Sequence, residues 1–309
     1  MKALIFGIGG FVGHYLADEL RAHGYEVAGS DILPECEIEY VDYCKGDLLD
    51  PKFVEDLVER TAPDAIINLA AISSVGASWK IPQTTIQVNV VGALNILEAA
   101  GRHARDAKIL FIGSSEEYCA KNGIISENDP ISANNPYGIS KVAQEQFVDC
   151  YRSRFGLKIH YVRPFNHTGI GQKDSFVLPS FCKQAAGIEA TGEPGEIHVG
   201  NLSAKRDFSD VRDIARAYRM ILESDDDRTI FNVGSGEAHG LDEMLEYIVS
   251  LCSVEVKIVV DEERYRPVDT PVVQCDNSLI REKLGWTPEY SIFDTLKEMY
   301  EYYLKNEQA

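Results

Sequence analysis

The chain has 309 residues, 45% of them hydrophobic, with seven cysteines and a formal net charge of −19. So acidic a chain lacks the basic surface that nucleic acid or an anionic membrane requires, and no stretch approaches the roughly 18 continuous apolar residues of a membrane span. Cys36, Cys44, Cys119, Cys150, Cys182, Cys252 and Cys275 are scattered without a Cys-x-x-Cys pair, which fits free thiols in a reducing cytoplasm better than disulfides or zinc.

In chain order, Ala3 to Phe6 reads as a buried strand, too short for a signal-peptide core. A helix is expected near 11–22 and a second strand at Tyr25 to Gly29. Asp50 is an N-cap with Pro51 at the first helical position, and Phe53, Val54, Leu57 and Val58 form that helix's apolar stripe. Ala65 to Leu69 and Ile109 to Ile112 are short apolar strands, long helices are expected over about 83–104 and 136–155, and Leu157 to Arg163 returns as a strand. This alternation implies an α/β fold, a doubly wound parallel sheet covered by helices on both faces. Beyond about residue 165 loops dominate, with helices near 210–223 and 241–252, a strand at Val256 to Val260 and a final helix from about 291. The change of order suggests two units. One spans 1–165, rejoined by about 204–237; the other is a smaller α+β unit from about 166–203 and 238–309.

Gly7-Ile8-Gly9-Gly10-Phe11-Val12-Gly13 follows the first strand and opens a helix. Glycines there permit a tight turn and let backbone amides approach a pyrophosphate at the helix N-terminus, the Rossmann arrangement for a dinucleotide. Asp31 ends the second strand, 18 residues after Gly13, where an acid accepts hydrogen bonds from ribose hydroxyls and repels a 2′-phosphate. Five acids and no Lys or Arg lie between positions 31 and 42. The expected cofactor is therefore NAD(H) rather than NADP(H), with Asp47 a candidate contact on the adenine side.

Tyr137 and Lys141 are four residues apart on one expected helix face. An ammonium beside a phenol stabilises the phenolate, so the pair is expected to pull the tyrosine toward neutrality and serve general acid–base chemistry. Ser114 lies just past the strand at 109–112, on the ligand-binding edge of an open α/β sheet.

With Ser114 added, the set resembles the extended short-chain dehydrogenase/reductase family, the nucleotide-sugar epimerase/dehydratase branch. Asn68-Leu69-Ala70-Ala71, Asn89-Val90-Val91-Gly92, Pro136-Tyr137-Gly138-Ile139-Ser140-Lys141 and Arg163-Pro164-Phe165-Asn166 carry the likeness. Gly113-Ser114-Ser115-Glu116-Glu117-Tyr118, Arg206-Asp207-Phe208 and Arg266-Pro267-Val268-Asp269 look most like the members acting on GDP-hexoses, the 4-keto-6-deoxy-mannose reductases and the mannose 4,6-dehydratases. The resemblance implies that Tyr137 exchanges a proton with the sugar O4, that Lys141 holds the nicotinamide ribose, and that Ser114 bonds the same oxygen. It implies a cofactor lining that adds Phe11, Val12, Leu48, Leu69, Ala70, Ala71, Asn89 and Pro164, and substrate contacts from Ser115, Asn166, Arg206, Arg266 and Asp269. Glu116 matches the dehydratase carboxylate that removes the C5 proton, an acid the reductase motif also carries. Reduction, dehydration and 4-epimerisation share the Ser114–Tyr137–Lys141 set, so all three stay open, with reduction favoured by the Arg206 to Asp213 stretch. Outside enzymes the alternative is a dinucleotide-sensing regulator, which has no need of that set. Cys119 replaces a glycine usual in the family, and Asp31 stands where such reductases often carry a base. The resemblance also implies a homodimer paired through the two long helices. His167 is expected to be structural, and the remaining histidines lack metal-ligand spacing, so no metal is expected.

Overall fold

The computed structural model describes residues 1–261 and 270–307. Seven parallel strands form the main sheet: β1 (Lys2–Phe6), β2 (Glu26–Asp31), β3 (Asp42–Lys45), β4 (Ala65–Asn68), β5 (Lys108–Ile112), β6 (Lys158–Pro164) and β7 (Ile230–Val233). Their spatial order is β7-β6-β5-β4-β1-β2-β3, so the winding reverses beside β1. That reversal opens a crevice at the carboxyl edge, where open α/β sheets bind ligands.

Alternate strand residues feed two separate cores, because side chains in a strand point to opposite faces. Ala3, Ile5, Ile67, Leu110 and Val162 pack with Leu16 and Leu20 of α1 (Phe11–Ala22) and with Ile214, Tyr218 and Ile221 of Val211–Glu223. Leu4, Phe6, Ile66, Ile109 and Phe111 pack on the other face with Val54, Leu57 and Val58 of α2 (Pro51–Thr61), and with Ala93, Ile96 and Leu97 of α3 (Gly92–His103). Asp50 caps α2 as its sequence foretells, accepting from the Lys52 and Phe53 amides. Phe53 is only partly buried, its ring standing where a side chain at Gly46 would go.

The later half forms a second core. Helices Val177–Thr191, Leu241–Ser250 and Ile292–Glu307 bury Leu178, Phe181, Met244, Leu245 and Leu296 against the paired strands Gly195–Val199 and Val256–Val260. Loops therefore do not dominate after residue 165: Val177–Thr191 is a 15-residue helix that its weak amphipathic pattern concealed. A small mixed sheet spans the two cores. In it Lys205–Asp210 pairs with Ala238–Gly240, Val272–Cys275 and Asn166–Thr168, and Gly123–Ile125 joins at the edge.

The helix expected over about 83–104 is an unbroken helical run over 82–103, but it is not α throughout. A short helix Pro82–Ile86 passes through a π-helical turn, Gln87–Val91, before α3 begins. The helix expected over 136–155 is intact as α4 (Pro136–Phe155). Among the described residues no helix is long and apolar enough to cross a membrane.

Candidate active site

The glycine-rich turn links β1 to α1. Gly7 has a φ of +82°, and a Cβ there would lie 2.5 Å from the Ala70 amide nitrogen. At Gly13 a Cβ would meet the Ile8 carbonyl oxygen at 2.1 Å. These positions exclude side chains because the backbone crosses itself tightly. Gly10 is the N-cap of α1 and caps with no side chain, and the first turn carries no acid. The amides of Phe11 and Val12 thus stand at a helix N-terminus built to receive an anion. Asp31 leans over the same turn, its carboxylate accepting from Gly9 N at 3.2 Å and Leu33 N at 3.2 Å. The residues present fit a dinucleotide.

Other expected cofactor contacts lie around this crevice. Leu69, Ala70 and Ala71 are half-buried beside Gly7, and Pro164 is buried at the end of β6. Leu48 is buried against Gly92, and Asp47 is an exposed loop residue whose carboxylate accepts from Leu49 N at 2.9 Å. Two expected contacts also make bonds or packing within the protein. The Asn89 amide is bonded to Ile72 N and O at 2.8 and 3.1 Å and to Ser140 Oγ at 2.9 Å, so it braces the loop after β4 against α4. The Phe11 ring stacks on His167 (centroids 6.2 Å apart, 8° between planes), joining the glycine turn to the strand Asn166–Thr168. Asn68 Nδ2 is buried at the end of β4 without a protein partner among the described residues, an orphan donor beside the turn.

Ser114 follows β5 and caps the short turn Ser115–Glu117, its Oγ accepting from Glu116 N at 3.1 Å. The Ser114 side chain lies close enough to the Tyr137 hydroxyl to lower its pKa, so the structure brings these two together. Lys141 is buried one turn further along α4, but its ammonium turns away from the phenol. It donates to the Ile112 carbonyl at 2.6 Å and to Gln144 Oε1 at 3.3 Å. The expectation that Lys141 pulls the phenol toward neutrality is overturned here. Burial holds the Tyr137 pKa above its ordinary value, opposed by the Ser114 side chain and reinforced by the negative charges of Glu117 and Glu116. Burial also lowers the Lys141 pKa to about 8, with Glu117 opposing. Desolvation outweighs the pair interaction because both groups leave water and the charges do not face one another.

Glu116 is exposed, its carboxylate accepting from Asn135 Nδ2 at 2.8 Å. Arg206 lies on Lys205–Asp210 and donates to the Lys205 and Pro271 carbonyls at 2.8 and 3.3 Å. Burial lowers its pKa and the Glu116 charge raises it, so the two side chains lie within electrostatic reach of each other. Ser115 is half-buried beside Ser114, and Asn166 is exposed at the start of its strand. Arg266 and Asp269 lie outside the described residues.

The sequence reading passed over what stands behind the pair. Glu117 is completely buried and accepts from Ser114 N at 2.7 Å, while Arg163 grips Glu145 with a two-nitrogen fork. Glu145 sits one turn beyond Lys141, a spacing visible in the sequence, but nothing local announces its partner on β6.

Comparison with known proteins agrees with this geometry. The model of the GDP-mannose 4,6 dehydratase family matches residues 4–299. GDP-6-deoxy-D-mannose reductase of Pseudomonas aeruginosa is 31% identical over 96% of this chain and 95% of its own length. GDP-mannose 4,6 dehydratase 2 of Arabidopsis thaliana is 30% identical over 96% of this chain and 85% of that protein. Among solved structures, RMD from Pseudomonas aeruginosa complexed with NADPH matches with a TM-score of 0.88 at 30% identity over 99% of both chains. UDP-glucose 4-epimerase from Brucella ovis in complex with NAD matches with a TM-score of 0.86 at 26% identity, covering 98% of both chains. Sequence, fold and site converge: the chain belongs to the GDP-mannose 4,6 dehydratase family, within the nucleotide-sugar branch of the short-chain dehydrogenases/reductases.

Proposed function

We propose that this enzyme reduces a GDP-4-keto-6-deoxy-hexose at C4 with a nicotinamide dinucleotide. The observation that carries the reading is the Ser114–Tyr137 hydroxyl pair at the carboxyl edge of the sheet, with Lys141 buried one turn behind. The likeness to the reductase of Pseudomonas aeruginosa over nearly the whole of both chains supports it.

When bound, the nicotinamide supplies the hydride to C4. Tyr137 gives its phenolic proton to the C4 oxygen as negative charge develops there, and the ketone becomes an alcohol. A phenol held protonated by burial suits this acid role. The Ser114 hydroxyl orients the same oxygen, and Lys141 holds the nicotinamide ribose. Asn166, Arg206, Arg266 and Asp269 take the GDP, the guanidinium groups suiting phosphate through bidentate charge-assisted bonds. Asp31 favours NADH over NADPH, because its carboxylate stands at the glycine turn and the following stretch to position 42 is acidic. In this reading residues 1–165 and about 204–237 bind the dinucleotide, and the rest forms the sugar-binding unit. The protein works as a cytoplasmic homodimer, its seven cysteines all free thiols.

A second reading, 4,6-dehydration of GDP-mannose, draws on Glu116, whose exposed carboxylate lies within electrostatic reach of Arg206. Product analysis separates the two. GDP-mannose alone is expected to return unchanged, and the GDP-4-keto-6-deoxy sugar with NADH is expected to give the 6-deoxy alcohol. Loss of water from GDP-mannose would favour the dehydratase instead, and faster turnover with NADPH would refute the role given to Asp31. Tyr137→Phe is expected to abolish turnover while NADH binding, followed by fluorescence, is retained.

A further inference from the structure

Behind the reacting hydroxyls lies a buried cluster the mechanism above does not use. It contains two carboxyl groups and one guanidinium. The side chains of Glu117, Arg163 and Glu145 are 0%, 5% and 14% exposed. Arg163 Nη2 lies 2.7 Å from both Glu145 oxygens and Nε lies 3.0 Å from Oε2, so the guanidinium fork is committed to Glu145. Its Nη1 donates to the Tyr118 hydroxyl at 3.0 Å, and only a long 3.4 Å contact from Nε reaches Glu117 Oε2. Arg163 Nε lies 3.4 Å from Glu117 Oε2 and 3.0 Å from Glu145 Oε2, so the two carboxyl groups flank one nitrogen. Two full negative charges on one positive charge in a dry interior cost several kcal/mol, and a shared proton removes that cost.

The cluster is wired to the site on two sides. Glu117 Oε1 accepts from the Ser114 amide at 2.7 Å and fills the space a side chain at Gly113 would need, which fixes the loop that carries the Ser114 hydroxyl. The Tyr161 hydroxyl lies 3.1 Å from the same oxygen and 3.0 Å from the Lys141 carbonyl, tying the carboxyl to α4. We infer that Glu117 and Glu145 hold one proton between them against Arg163, and that this pair positions Ser114 and sets the charge felt by Tyr137 and Lys141. Burial and the neighbouring Glu145 push the Glu117 pKa up to about 8, as such sharing requires, and its negative charge raises the pKa of both Tyr137 and Lys141. The groups facing Glu117 are Tyr137, Lys141 and Glu145 from α4, and Tyr161 and Arg163 from β6.

The inference rests on the proposed C4 reduction for its kinetic test. Above pH about 8 the pair gives up its shared proton, and the Glu117 charge then keeps Tyr137 and Lys141 protonated to higher pH. Glu117→Gln removes that charge, so the alkaline limb of the kcat–pH profile should move to lower pH by about one unit. Tyr161→Phe removes a donor that favours the Glu117 anion, so its limb should move the same way by less. Should Glu117→Gln fail to melt cooperatively, Tyr161→Phe carries the kinetic test. Profiles that superimpose on the wild type would overturn the inference. A wild-type enzyme that turns over no GDP-4-keto-6-deoxy sugar would instead sink the proposed reaction. The proton is then read directly by infrared spectroscopy at pH 7, where exposed carboxyl groups are ionised. A protonated-carboxyl C=O band is expected in the wild type and not in Glu117→Gln, and its absence from the wild type would overturn the pair.

Discussion

His160 lies on β6 with 1% of its surface exposed, and neither ring nitrogen has a protein partner among the described residues. Burial lowers its pKa from 6.5 to about 4; Lys108 and Arg152 push the same way, and Asp226 and Asp227 oppose them. The folded ring stays neutral where the unfolded one takes up a proton, so this stability is complete above pH 6.5 and is lost as pH falls toward about 4. By pH 5 the loss is about 2 kcal/mol. His160→Phe is expected to close that gap, its melting temperature gaining on the wild type as pH drops from 7 to 5. A difference that stays constant with pH would refute the assignment. Residues of this kind bound what a sequence conveys. Ser114, Tyr137 and Asp31 are readable because motif and strand end fix where they emerge. The direction in which Lys141 points and the pairing of Glu117 with Glu145 and Arg163 are not, because they depend on contacts between segments distant in the chain.

At the level of elements, the N-terminus of α4 does two jobs with one side chain. Asn135 Oδ1 accepts from Gly138 N at 2.9 Å, capping the helix, while its Nδ2 donates to Glu116 at 2.8 Å. Gly138 has no room for a side chain, since a Cβ would stand 2.3 Å from the Glu116 carbonyl oxygen. The start of the helix and the loop that carries Ser114 are thus interlocked. Asn135→Ala should cost about 1 kcal/mol of stability from the lost cap, measurable by chemical denaturation, and should lower kcat by loosening the Glu116 segment whose amide holds Ser114 Oγ. Asn135→Asp keeps the cap but sets like charges together, so it should spare stability more than kcat; a wild-type kcat in Asn135→Asp would show that capping alone matters. Asn followed by Pro announces this helix in the sequence. The π turn at Gln87–Val91 has no such sign, since the apolar pattern through it reads as plain helix. Its consequence is the placing of Asn89, which bridges Ile72 and Ser140.

For the whole molecule, the remaining question is what covers the outer face of α3 and α4. Ile139, Phe147 and Phe155 are 49%, 38% and 45% exposed along α4, and Ile86 and Val91 are 39% and 42% exposed on the adjoining run. Tyr151 and Glu98 hydrogen-bond between the two helices, which holds these positions on one frame. Single exposed apolar residues need no explanation; five on two packed helices are the face we expect a second copy to cover. A twofold axis through it would set that face against its own copy, the isologous contact that most homodimers use. Phe147 stands midway along α4, so Phe147→Glu would bury a carboxylate against its symmetry mate. Sedimentation at micromolar concentration should find a dimer for the wild type and a monomer for the variant, with the melting profile of the folded chain preserved. A wild-type monomer, or a variant that still sediments as a dimer, would place the interface elsewhere or remove it. Because α4 also carries Tyr137 and Lys141, a real interface should make kcat of the variant recover partly as protein concentration rises, through weak reassociation that steadies the catalytic helix.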